Sequence, residues 1–138
     1  MSSANLDLVR FIFEAWGRGD YSAVDWADPE IEFALADGPD PESWAGVAGM
    51  VEGWRAFKNT WEDFRAEPQE YRDLDHEHVL VLVQFNGRAK ASGLDLAQMH
   101  TQQASLFQIR ASKVTRLILY FDSDRALADL GLAPDTGT

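Results

Sequence analysis

Residues 79–121 read VLVLVQFNGRAKASGLDLAQMHTQQASLFQIRASKVTRLILYF, and this stretch decides the fold. Strand-forming runs at 79–89, 96–109 and 113–121 are separated by Ala91-Ser92-Gly93 and Arg110-Ala111-Ser112, which carry the small and polar residues that turns need. A shorter run at 69–74 precedes them across Asp75-His76-Glu77-His78. Consecutive strands joined by short turns form hairpins, so the second half of the chain predicts an antiparallel sheet.

Towards the N-terminus the periodicity changes. Leu6, Val9, Phe13 and Trp16 make one helical stripe over residues 5–16, widened by Leu8, Ile12 and Ala15. Gly17-Arg18-Gly19-Asp20 ends it, and Asp20 can cap a short second helix carrying Val24 and Trp26. Asp28-Pro29 predicts a turn, Ile31–Leu35 a strand, and residues 36–45, with Gly38, Pro39 and Pro41, a loop. Val47, Met50, Val51, Trp54, Phe57, Trp61 and Phe64 step by three or four residues and predict a long helix stopped at Pro68. At the other end, Asp122-Ser123-Asp124 caps a short helix from Arg125 to Leu130, closed by Gly131, and residues 133–138 read as a frayed tail. The order is not βαβ alternation. It predicts a single α+β domain over residues 1–132, a cone-shaped curved antiparallel sheet wrapped around the N-terminal helices, with the mouth of the cone as a natural pocket.

Composition limits the function. The 138 residues carry 23 acidic and 12 basic side chains, a net charge of −11, and all of that excess lies in residues 1–75. Nowhere do Lys and Arg cluster, which argues against nucleic acid and anionic lipid as partners. No apolar run reaches the length of a membrane span, and the first ten residues lack the basic-then-apolar pattern of a secretory signal, so a cytoplasmic protein is expected. With no cysteine, disulfides, thiol chemistry and thiolate-bound zinc are excluded. His76-Glu77-His78 has metal-like composition but sits at a turn with no third ligand placed beside it, so no metal is expected. Gly46, Gly49 and Gly53 lack the spacing and lysine of a phosphate loop and read as helix entry and close packing; no cofactor is expected.

Several segments together resemble the SnoaL-like branch of the nuclear transport factor 2 superfamily, which includes polyketide cyclases, ketosteroid isomerases and limonene epoxide hydrolases. They are Glu14-Ala15-Trp16-Gly17-Arg18-Gly19-Asp20, Asp28-Pro29-Glu30-Ile31-Glu32-Phe33, Trp61-Glu62-Asp63-Phe64, Ser112-Lys113-Val114 through Tyr120-Phe121-Asp122, then Ala126-Leu127 and Gly131-Leu132. The resemblance implies the cone fold and a small-molecule pocket. It does not carry one activity, because folds of this kind host many. The isomerase pattern needs a tyrosine, a carboxylate base and a protonated acid; its positions fall at Ile12, Phe33 and near Ser105, none of which can act so. One aspartate of the epoxide hydrolase pattern falls at Leu119, and strand 79–85 holds no acid or arginine.

The cyclase pattern uses an Asp/His pair, for which Asp122 and His100 are the candidates. Asp122 reads equally as the N-cap of the last helix, and His100 as a residue facing away from the pocket if Ser105 faces inward. Trp16, Phe33, Phe57, Trp61, Phe107, Leu119 and Phe121, with the polar Thr101, Gln103 and Ser105, are the pocket lining that the family pattern implies. Such a lining suits a small apolar ligand with a few oxygens, bound by a proton-transfer cyclase or isomerase, or by a non-catalytic binding or dimeric interaction module. Leu117–Phe121 is apolar on both faces, which predicts a homodimer joined through the outer face of the sheet.

Overall fold

A computed structural model describes residues 4–18, 20, 25–36, 42–74, 77–90, 93, 95 and 102–131. Its elements run α1 (Ala4–Gly17), β1 (Ala27–Leu35), β2 (Glu42–Ala45), α2 (Gly46–Thr60), β3 (Trp61–Asp73), β4 (His78–Ala89), β5 (Gln103–Arg110), β6 (Lys113–Tyr120) and α3 (Ser123–Asp129). The strands form one curved, unclosed sheet in the order β2-β1-β6-β5-β4-β3. The α+β cone is therefore present, with two changes. The sheet has six strands, because Glu42–Ala45, expected in a loop, pairs with β1. It is mixed rather than antiparallel, because β1 lies parallel to β6, with Phe33 beside Leu117 and Leu35 beside Leu119. The hairpins leave one edge of β6 unpaired, and β1 supplies the missing donors and acceptors. At either end of the pairing, Val114 N donates to Trp26 O at 2.8 Å and Ala36 N to Leu119 O at 3.0 Å.

Alternation sorts the strands into two faces. Ile31, Phe33, Val79, Val81, Val83, Phe85, Phe107, Leu117 and Leu119 point inward and pack against Val9, Phe13 and Trp16 of α1 and Met50, Trp54 and Phe57 of α2. Leu80, Ala104, Leu106, Ile118 and Tyr120 point outward into a smaller core closed by Ala126 and Leu127 of α3. The last helix thus covers part of the outer sheet face. Tyr120 OH donates to Asp129 Oδ2 at 3.0 Å, and burial, then that hydrogen bond, pushes the Tyr120 pKa up. The outer face of β6 is accordingly less bare than its sequence predicts.

The largest departure lies at the end of α2. The stepping aromatic residues predict helix through Phe64, yet the helix stops at Thr60 and Trp61 begins β3. Thr60 Oγ1 donates back to Ala56 O, and Trp61 N caps Lys58 O. A bulge between Glu62 and Arg65 then adds to the strand, with Asp63 in the left-handed region at φ 54°. The bulge turns Phe64 to the same buried side as Trp61, three residues away, which imitates a helical step. Gly87 opposite makes room for it: a Cβ there would stand 3.1 Å from Glu62 O and 3.2 Å from Phe64 Cα. Pro68 does not end a helix but sits in β3, next to a second register shift and on a sheet edge, where a missing N–H is tolerated.

Asp28-Pro29 lies within the irregular start of β1, where Asp28 Oδ1 accepts from Glu30 N at 2.8 Å. Of the run expected at 96–109, the described part is strand from Gln103; residues 96–101, like Val24, His76 and the tail at 133–138, lie outside the described residues. No helix of the described residues is long and apolar enough to cross a membrane.

Candidate functional site

The ends of α1 and α2 meet the beginning of β3 at a cleft of about 640 Å³. Trp16 and Gly17 come from α1, Arg18 from the residue after it, Lys58 from α2, and Trp61, Asp63, Phe64, Arg65, Ala66 and Glu67 from β3. The volume suits a small organic ligand, and the largely buried rings of Trp16, Trp61 and Phe64 border it beside the charged Arg18, Lys58, Asp63, Arg65 and Glu67. Each wall residue is fixed by the local structure just described: Trp16 by the last turn of α1, Trp61 by the helix–strand junction, and Phe64 by the bulge.

Behind the cleft the cone is filled with aromatic rings. Trp54 is the hub, with its ring centroid 4.9 Å from Trp16, 5.2 Å from Phe33, 6.0 Å from Phe57 and 6.3 Å from Phe64. Trp61 continues the network to Phe57 and Phe121, and Phe121 to Phe85. Edge-to-face and tilted pairs predominate, the geometry that ring quadrupoles favour. Trp61 Nε1 and Ser105 Oγ are buried in this apolar interior with no hydrogen-bond partner among the described residues. Such groups cost roughly 1–3 kcal/mol each and call for an explanation.

Of the lining the sequence implies, Trp16 and Trp61 border the cleft. Phe33, Phe57, Phe107, Leu119 and Phe121 belong to the packed interior behind it. Gln103 and Ser105 are both buried on the inner side of β5. Gln103 Oε1 accepts from Phe85 N at 3.0 Å, so the side chain extends the β4–β5 ladder beyond its last backbone pair and is structural as much as polar lining. Thr101 and His100 lie outside the described residues. Asp122 is the N-cap of α3, with Oδ1 accepting from Asp124 N at 3.0 Å. Gln84 points outward with Leu80 and Leu82, and its amide donates to Phe85 O. Among the described residues no group of His, Cys, Asp and Glu is placed to hold a metal ion.

Sequence reading missed Phe64, Arg18, Lys58 and Arg65 as cleft residues. The Trp61–Phe64 spacing was the available signal, but without the bulge it reads as helix. A more open and polar depression over β3 and β4 is lined by Glu62, Asn86, Arg88 and Asp95, shares Asp63, Arg65 and Glu67 with the cleft, and offers no apolar wall.

The sequence matches the family described as the SnoaL-like domain over residues 9–117. Solved structures agree in fold. A polyketide cyclase candidate from Sinorhizobium meliloti superposes with a TM-score of 0.63 at 24% identity, covering 82% of this chain and 93% of that one. An NTF2-like protein from Burkholderia xenovorans gives 0.69 at 24% identity over 87% and 90%. A protein with a ketosteroid isomerase-like fold from Catenulispora acidiphila, in complex with trimethylamine, gives 0.65 at 18% identity over 93% and 95%. At these identities the likeness is one of fold. No curated protein matches the chain in sequence.

Proposed function

Because the chain belongs to the SnoaL-like domain family, we propose that it binds a small, flat, largely apolar molecule bearing a hydrogen-bond acceptor, in the cleft between α1, α2 and β3. The observation that carries this reading is the cleft lining: Trp16, Trp61 and Phe64 border it with largely covered rings, and the indole N–H of Trp61 has no acceptor among the described residues. A turn of the Trp61 ring towards the cleft would bring that donor to a ligand oxygen and recover the cost of the orphaned group.

Binding without proton transfer fits the interior best. Among the described residues the buried polar side chains are Gln103, Ser105 and Ser123, and none takes a proton near neutral pH. Asp122 is engaged as a helix cap. Cyclase or isomerase chemistry on this fold would need a base from elsewhere, and His100 is the residue to test by substitution.

Calorimetric titration with 1-tetralone, a planar ketone, and with its hydrocarbon counterpart tetralin checks the binding reading. Trp61→Phe keeps an aromatic wall and removes the donor. It is expected to weaken tetralone binding roughly fivefold, the worth of one neutral hydrogen bond, and to leave tetralin unchanged. Absence of any binding by either probe would refute the reading.

We also propose a homodimer joined through the outer sheet face. Beside α3 a groove of about 500 Å³ has Ala34, Leu106 and Ile118 in its lining with the polar His78, Gln108, Arg116, Arg125 and Asp129, a mixed surface for a second copy to cover. Sedimentation at micromolar concentration is expected to give twice the 15.5 kDa chain mass; a value at the single mass would rule the dimer out.

A further inference from the structure

Trp61 stands between two surroundings. Its ring borders the cleft yet is only 3% exposed, and behind it lie Phe57 and Phe121. The backbone beneath it is pinned: Trp61 N donates to Lys58 O, Lys90 N donates to Thr60 O at 3.0 Å, and Trp61 pairs with Ala89 on β4. The indole is held less closely. Its centroid lies 6.2 Å from Phe57 and 6.1 Å from Phe121, towards the long end of aromatic pairing, whereas Trp54 lies 4.9 Å from Trp16 and 5.2 Å from Phe33. The Trp61 N–H is covered and has no acceptor among the described residues, so this position of the ring forgoes a hydrogen bond that another could make. Room for another lies on the cleft side. Gly17 shares the lining, and a Cβ there would meet nothing within 4 Å. Arg18, Asp63, Arg65 and Glu67 in the same lining are exposed, so water reaches the cleft.

We propose that Trp61 is a two-position switch: its N–H rests covered while the cleft is empty, and turns into the cleft to hold the acceptor oxygen of a ligand. This deepens, and rests on, the ligand-binding reading above, and it names the residue by which the cleft tells an acceptor-bearing ring from a hydrocarbon of the same shape. The turn is about the side-chain bonds alone, since the backbone is tied on both flanks. Burial of the ring favours the covered position and the hydrogen bond favours the turned one, so the two compete. A ligand oxygen that serves only the turned position shifts the balance towards it. A ligand with no acceptor binds both positions alike and shifts nothing.

Proton–nitrogen NMR of the isotope-labelled full chain reads the indole N–H groups directly, with the Trp61 signal assigned by its loss in Trp61→Phe. In the free protein that signal is expected to show relaxation dispersion from a turned state populated at about 1–10%, and the Trp54 signal none. Saturating 1-tetralone should quench the dispersion and move the Trp61 N–H downfield, as a hydrogen-bonded donor moves; tetralin, bound in the same cleft, should do neither. A flat profile in the free protein with the same tetralone-specific shift would support the switch, the turned position then being reached in the complex. If calorimetry shows tetralone bound while the Trp61 N–H stays where tetralin leaves it, the switch is overturned and the ligand cleft stands. If neither compound binds, dispersion at Trp61 keeps the two-position ring and ends the ligand reading, and a flat profile ends both.

Discussion

Trp54→Ala should cost about 3–5 kcal/mol of folding stability, the range for emptying an aromatic site in a core that cannot collapse around it. The side chain is 5% exposed and its ring meets four others, three of them from other elements: Trp16 at the end of α1, Phe33 on β1 and Phe64 at the bulge, with Phe57 further along α2. Those neighbours are themselves large and rigid, so the hole would persist. Against a typical domain stability of about 5–15 kcal/mol, the loss is a third or more. Trp54→Phe keeps one ring in the stack on Phe33 and should cost less than half as much. Urea unfolding of the three proteins measures both steps. A cost below about 1.5 kcal/mol for the alanine variant would mean that the ring cluster is not what holds the helices on the sheet.

How far the sequence disclosed the fold depends on which period a segment obeys. In β4 and β6 the strands were legible as apolar runs but their phase was not, because Val79–Val83 and Leu117–Phe121 are apolar on both faces; the structure sends every second residue from Val79 to Phe85, with Leu117 and Leu119, into the inner core. The α1 stripe was equally plain, since Val9, Ile12, Phe13 and Trp16 all lie on its buried side. The Trp61–Phe64 segment failed because a β-bulge can copy the spacing of a helix. Three residues separate its inward side chains, and only Asp63 in the left-handed region reconciles that with a strand. β2 failed for another reason. Four residues hold too little pattern to mark a strand, and what recruits them is a tertiary contact, Trp44 lying 5.6 Å from Phe33 across the pair.

The candidate site was legible to the same extent. Trp16 and Trp61 were expected in the lining from the family pattern, and both border the cleft. The family pattern set Ser105 inward and period two carried Gln103 with it; both are buried. Arg18 and Arg65 carried no local signal. One follows a helix end among small and polar residues, the other sits in a charged run, and only the meeting of α1 with the bulged β3 gives them a common position. Charge at such a site emerges from topology, so no window along the chain contains it.

Gly53→Ala should destabilise the protein although alanine favours a helix over glycine by about 1 kcal/mol. Gly53 lies in the middle of α2, where a Cβ would come within 2.6 Å of the Trp44 ring and 2.8 Å of the Phe33 ring. Phe33 is fully buried beneath Trp54 and cannot retreat, whereas Trp44 is half-buried on the short strand β2 and has more freedom. Overpacking of this kind typically costs about 1–3 kcal/mol; two rings are met here, so the cost should fall in the upper half of that range and the net loss should be about 1–2 kcal/mol after the propensity gain. Gly53→Val adds two methyl groups without the same helical gain and should exceed about 3 kcal/mol. The two effects separate in a double-mutant cycle with Trp44→Leu, which clears the closer ring but leaves Phe33. In that background Gly53→Ala should become neutral or nearly so, a coupling of about 1 kcal/mol or more. If the alanine were equally costly with and without Trp44, the strain would have to lie wholly against Phe33. If it were stabilising in both, α2 would not be seated as closely on β1 and β2 as a side chain-free position at Gly53 requires.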